Sequence, residues 1–159
     1  MSLESVTAAL KGTSLEGAIM ALPHTGATVA LAADAIGCDS DQIAKTMSFL
    51  VGEEPILIVV SGDSRIDNKK YKGYFHKKAK MIPHENVEDL IGHPPGGVGP
   101  FGVKEGVAVY FDRSLLHHEL FYPAAGDLHH VVRMPVEAAR QILGIEDFID
   151  VTEDREAAV

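Results

Sequence analysis

The run Ile56-Leu57-Ile58-Val59-Val60 constrains this chain more than any other segment. It is apolar without alternation, so as a strand it has no polar face and must be covered on both sides. The Gly52-Glu53-Glu54 turn joins this strand, over residues 55–61, to a preceding one over Lys45–Val51. Flanking segments have to supply the cover. Residues 2–11 read as an amphipathic helix stopped by Gly12. Thr28 caps a helix through Val29, Ala32, Ala33 and Ile36 that Gly37 ends, and Asp39 or Ser40 caps a short turn reaching Ile43. Asp67 caps a basic helix to about Phe75, residues 85–91 form a short helix, and residues 135–143 form another with proline in its first turn. Short strands are predicted over 17–22, 79–82, 107–111, 120–122 and 130–134. Many connections between strands are too short for parallel crossovers, which gives an α+β class with a mixed sheet.

At 159 residues, 46% hydrophobic and 23% charged, the chain reads as one globular domain over 1–159 with a frayed acidic tail at 153–159. No apolar run approaches the roughly 18–20 residues that span a membrane, and no signal-peptide pattern opens the chain, so a cytoplasmic protein is expected. A single cysteine, Cys38, excludes an intrachain disulfide and fits a reducing compartment. The net charge of −9 argues against diffuse adhesion to nucleic acid. Its distribution argues differently. Arg65, Lys69, Lys70, Lys72, Lys77, Lys78 and Lys80 crowd into one stretch beside a single acid, Asp67. Such a patch suits oriented docking of a polyanion, although a solvated helix face has the same composition.

Lys45 is the most informative single residue. Period-two alternation puts it on the apolar face of its strand with Met47, Phe49 and Val51, where a lysine is seldom placed. Partial desolvation would lower its pKa and leave a directed positive charge; a strand-end lysine reaching back to water is the plain alternative. The second feature is the stretch 92–102, Gly-His-Pro-Pro-Gly-Gly-Val-Gly-Pro-Phe-Gly, eight of whose eleven residues are glycine or proline. Stiffened by proline and opened by glycine, it is either an amide-lined anion cradle or a rigid turn. Its match to the dinucleotide-binding G-x-G-x-x-G pattern is a decoy, because prolines precede it and no helix follows. The eight histidines lack the spacing of a helical zinc site, and His117-His118 and His129-His130 would point to opposite faces in strands. No metal or cofactor is expected. No nucleophile elbow is present, and Cys38 has no evident base.

Taken in order, these segments resemble the YbaK / prolyl-tRNA-synthetase-associated domain family. Ala35-Ile36-Gly37 followed by Gln42-Ile43-Ala44-Lys45-Thr46-Met47 is similar to its helix, turn and lysine-bearing strand. The run 62–70, Gly-Asp-Ser-Arg-Ile-Asp-Asn-Lys-Lys, resembles its Gly, Asp and Lys signature, and Gly96-Gly97-Val98-Gly99-Pro100 its Gly-x-x-x-Pro loop. Val109-Tyr110-Phe111-Asp112 and Tyr122-Pro123-Ala124-Ala125-Gly126 resemble later landmarks. The likeness runs over about residues 18–143.

The resemblance implies a mixed, barrel-like curled sheet flanked by helices, and hydrolysis of the ester between an amino acid and the tRNA 3′ adenosine. A chain this short would act in trans, in the manner of Pro-tRNA editing, with aminoacyl-tRNA and a prolyl-tRNA synthetase as its partners. Carried over by position, Lys45 and the loop residues Gly96, Gly97, Val98, Gly99 and Pro100 are the catalytic candidates, with the loop amides as oxyanion donors and the substrate assisting the attack. Thr46, Asp67, Lys69, Lys70 and His130 are the substrate-binding candidates, with His129 an equal choice of register. Two positions depart from the family's pattern. Gly99 stands where many members have cysteine or serine, and Ile91 where many have threonine. A noncatalytic RNA-binding or regulatory module of the same fold, or a hydrolase of small acylated molecules, are the other readings.

Overall fold

The central strand, β3 (Glu54–Val60), is covered on both faces, as its composition demands. Leu57, Ile58, Val59 and Val60 are all fully buried in the computed structural model, which describes residues 2–154. β3 lies between β2 (Lys45–Val51), antiparallel to it, and β4 (Ala108–Phe111), parallel to it. One face carries Ile56, Ile58 and Val60 against Phe49, Tyr71, Ile149 and Val151. On the other, Leu57 packs with Ile82, Val87 and Ile91, while Val59 joins Val6, Leu10, Phe101, Phe111 and Phe121. At about 25 cal/mol per Å² of apolar surface removed from water, each such fully covered side chain stabilises the fold by roughly 1.5–3 kcal/mol.

The parallel pairing of β3 with β4 requires a crossover. Residues 61–107 supply it and carry α3 (Asn68–Phe75), α4 (Val87–Ile91) and the glycine-proline loop. The other helices are α1 (Ser2–Leu10), α2 (Val29–Ile36) and α5 (Val136–Leu143). The caps read from the sequence are in place. The Thr28 hydroxyl accepts from the Leu31 amide at 3.1 Å, Gly37 closes α2 in the left-handed region, and the Asp67 carboxylate accepts from the Lys69 and Lys70 amides at 2.9 and 3.1 Å.

Two further pairs complete a mixed α+β fold. They are β1 (Ile19–Ala21) with β6 (His130–Val132), and β5 (Leu120–Phe121) with β7 (Met134–Pro135), both antiparallel. The strand expected over 130–134 is thus split in two. Arg133 N–H still donates to the Ala18 carbonyl, the next position of the β1–β6 register, and from Met134 onward the chain pairs with β5 instead. The strand expected over 79–82 is reduced to a bridge between Met81 and Phe49. It is held by Leu50 N–H donating to Lys80 O and Ile82 N–H donating to Ser48 O. Residues 113–117 form a 3₁₀ turn, so His117 and His118 do not alternate across a strand; both turn toward the buried Asp41, at 3.8 and 2.9 Å. Of the tail expected at 153–159, residues 155–159 lie outside those described.

Asp112, at the end of β4, ties in the C-terminal segment. Fully buried, it accepts from the Ser114 and Val151 amides and the Thr152 hydroxyl, each at 2.8 Å. Asp112→Ala strands these donors and is expected to lower the unfolding free energy by about 2–4 kcal/mol. Urea denaturation reads this directly, and a change below about 0.5 kcal/mol would contradict the role.

Candidate functional site

A cleft of about 400 Å³ opens along the exposed edge of β2. One wall is the start of α2 with the residues before it, from Gly26 to Val29. Met81, Ile82, His84 and Val87 also line it, with Pro95, Gly96 and Val98 of the glycine-proline loop and with Tyr122, Ala124, Asp127, Leu128 and His130. Lys45, Thr46, Met47 and Ser48 run along its edge. Its size is that of a small-molecule site.

Lys45 lies at the mouth of β2, paired with Val60, on the face that continues into buried Phe49. The segment after β3 folds over it, and its ammonium donates to the Ser64 carbonyl. Burial lowers its pKa from the ordinary lysine value of 10.5. The Asp63 and Asp41 carboxylates pull the other way, and Arg65 adds to the lowering. The result is a half-buried cation on the cleft, held by a neutral carbonyl. Thr46 faces the opposite side of the strand, and its hydroxyl is shielded from water with no hydrogen-bond partner among the described residues. The Ser48 carbonyl and Leu50 amide point outward to residues 82 and 80. By the same alternation the Thr46 backbone groups point outward too, beyond the end of that pairing and along the cleft.

The glycine-proline loop has an alternating pattern. Gly97 N–H donates to the Pro94 carbonyl at 2.9 Å, and Gly99 N–H donates to Nδ1 of fully buried His93 at 3.2 Å. The residue before each, Gly96 and Val98, lines the cleft, and among the described residues no partner takes their amides. Gly97, Gly99 and Pro100 are buried behind the loop and do not line the cleft. Two of these glycines are required by close approach. A Cβ on Gly97 would meet the Asp127 Cα at 2.7 Å, and one on Gly99 would meet the Ala124 carbonyl oxygen at 1.9 Å. The departure at Gly99 is therefore enforced by packing here. Burial holds the His93 ring below histidine's ordinary value. The Gly102 and Gly99 backbone pull upward, without closing a hydrogen bond to Nε2. A neutral ring with Nδ1 as acceptor fits the Gly99 contact.

At the back of the cleft, His130 Nδ1 lies 3.0 Å from each oxygen of Asp127, and Oδ1 also accepts from the His129 amide at 2.8 Å. Burial would raise the Asp127 pKa, but the His129 amide and the His130 ring outweigh it and hold the carboxyl below 3.8. His130 lies on the cleft, and His129 is exposed. Asp67, Lys69 and Lys70 do not line it. Asp67 is the cap of α3, and Lys69 is exposed. Lys70 is bonded to Asp150 at 3.1 Å, Asp154 at 2.7 Å and the Thr152 carbonyl at 2.8 Å, so it docks the C-terminal segment. The remaining bases, Arg65, Lys69, Lys72, Lys77, Lys78 and Lys80, are exposed, and Lys80 adjoins cleft-lining Met81. Sequence reasoning missed His93 and Asp127. The signal for Asp127 was its spacing of three from His130 in the Gly126-Asp127 turn; nothing in the sequence marked His93 as buried.

Residues 24–142 match the aminoacyl-tRNA editing domain. The chain belongs to this family. A Bacillus subtilis (strain 168) protein of uncharacterised function, YwhH, is 36% identical over 157 residues, spanning 98% of this chain and all of that one. The proline–tRNA ligase of Limosilactobacillus fermentum is 35% identical over 94 residues, 55% of this chain but only 16% of the ligase. A crystal structure of a protein provisionally assigned as a trans-editing enzyme for prolyl tRNA synthetase superposes with a TM-score of 0.86 at 27% identity, covering 96% of this chain and 98% of that one. That match extends the shared fold beyond the editing-domain segment. No described helix is long and apolar enough to cross a membrane.

Gly99→Ser forces the loop away from the Ala124 carbonyl and is expected to cost about 1–3 kcal/mol, read as a lowered melting temperature. Unchanged stability would show that the loop yields easily and that Gly99 is not required by packing.

Proposed function

We propose that this chain hydrolyses the ester of mischarged aminoacyl-tRNA, acting in trans, with the aminoacyl end of the tRNA in the β2-edge cleft. The observation that carries this reading is that Gly96 and Val98, whose amides have no partner among the described residues, line the same cleft as the half-buried Lys45. Ester hydrolysis builds negative charge on the carbonyl oxygen, and preorganised N–H groups stabilise it; one such donor is worth roughly 3–4 kcal/mol. Lys45 anchors the ribose-phosphate side of the ester by charge. Water adds to the carbonyl carbon, the bond to the ribose oxygen breaks, and the ribose oxygen takes up the proton. The free amino acid and the intact tRNA end are the products. No side-chain nucleophile is assigned, and the neighbouring ribose hydroxyl assists the proton transfer. Thr46 and His130 contact the bound end, while the exposed lysines beside Met81 receive backbone phosphates. Family membership and the trans-editing neighbour support the same substrate class. A prolyl-tRNA synthetase is the natural supplier of the mischarged tRNA, and the cytoplasm is the compartment of this chemistry. No cofactor is needed.

Single-turnover deacylation of a panel of mischarged tRNAs tests the proposal. Lys45→Ala is expected to lower the rate about 100-fold while tRNA binding changes less than about threefold. Turnover unaffected by the substitution removes Lys45 from the mechanism. No turnover on any tRNA favours a binding module of the same fold, and turnover on small acylated molecules without tRNA favours a different substrate.

A further inference from the structure

The cleft holds one carboxylate among the described residues that line it, Asp127, and the proposed mechanism gives it nothing to do. The cleft it lines is largely apolar: Leu22, Val29, Ile43, Val98, Leu128 and Val131 line it as well. Every ester of an unmodified amino acid brings an ammonium group into such a site, and a cation entering an apolar wall without a partner is costly. We propose that Asp127 is the counter-charge for the α-ammonium of the aminoacyl group, so that the cleft selects esters of amino acids with a free amino group over N-blocked ones.

Three observations carry the assignment. The first is adjacency to the amide cradle. In an aminoacyl ester one carbon separates the ammonium nitrogen from the ester carbonyl carbon, so the two lie about 2.5 Å apart. The partner of the ammonium must therefore stand beside the donors that receive the oxyanion. Asp127 does: its backbone packs so tightly on Gly97, between the two cleft-facing amides, that a Cβ there would lie 2.7 Å from its Cα. The second is remaining capacity. A carboxylate offers about four acceptor sites. Among the described residues, Oδ1 takes the His129 amide and shares the His130 ring, and Oδ2 shares that ring. The third is orientation. His130 Nδ1 bridges both oxygens, which fixes the carboxylate plane at the back of the cleft. On this view His130 is a positioning residue that acts through Asp127. The cleft is then polar at two points, with Lys45 on the nucleotide side and Asp127 on the amino side.

The inference rests on the reading of the cleft as an ester-hydrolysing site, and the test separates the two. Alanyl-tRNA and N-acetyl-alanyl-tRNA are compared in single turnover with wild-type protein and Asp127→Asn. Wild type is expected to cleave the free-amine ester about 10- to 100-fold faster than the acetylated one; Asp127→Asn is expected to lose that factor on the free amine and keep the acetylated rate within about threefold. Indifference of the wild type to acetylation, or an equal loss on both substrates, overturns the assignment, and the wild-type comparison does not depend on the variant folding. If neither ester is cleaved by wild type, the hydrolase reading fails. Binding of 3′-alanylamido-3′-deoxyadenosine and its N-acetyl form, followed by calorimetry, then decides on Asp127 alone: about tenfold weaker binding of the acetylated form supports it, and equal binding, or no binding of either, overturns it.

Discussion

The pairing of Gly99 N–H with the buried His93 ring, together with that of Gly97 N–H with Pro94, decides what the glycine-proline loop can present to a ligand. These two bonds take up every second amide of the loop and leave those of Gly96 and Val98, on residues that line the cleft, without a partner among the described residues. A loop free to rotate would offer no fixed donors, and donors that must reorganise during a reaction stabilise its charge less. The contacts of Gly97 with Asp127 and of Gly99 with Ala124 belong to the same constraint. They fasten the loop to the segment that carries the carboxylate at the back of the cleft.

Charge is distributed to suit one orientation of a polyanion. The body is acidic, with a net of −9, and half of its bases fall within Arg65 to Lys80. Lys70 leaves that group by docking the C-terminal segment through Asp150 and Asp154. The others remain exposed and lead toward the cleft at Lys80 and Met81. Among the described residues that line the cleft, Lys45 is the lysine and Asp127 the carboxylate. Ionic strength screens the exposed lysines far more than the half-buried pair of cleft charges, so salt acts on docking before it acts on the site.

The uninterrupted apolar run of β3, the Thr28 and Asp67 caps and the Gly37 stop were legible because each follows from local chemistry. Alternation also placed Lys45 on the face that continues into Phe49. What was not legible depended on long-range contact. The split of the 130–134 strand follows a change of partner, from β1, more than a hundred residues earlier in sequence, to β5 at Met134. The weak pairing of residues 80–82 depends on how far β2's edge is left open. The convergence of His117 and His118 on Asp41 arises from a 3₁₀ turn that propensity does not announce. Within the loop, composition pointed to an amide cradle, but which amides face the cleft depends on a buried histidine whose burial no sequence pattern reveals.

The central physical claim is that two alternate loop amides face the bound aminoacyl end while their neighbours do not. Amide chemical-shift mapping with a nonhydrolysable aminoacyl-adenosine amide tests it most directly. Large shifts at Gly96 and Val98, with Gly97 and Gly99 little changed, are the predicted result. Equal shifts through the loop, or shifts confined to the exposed lysines, would contradict it.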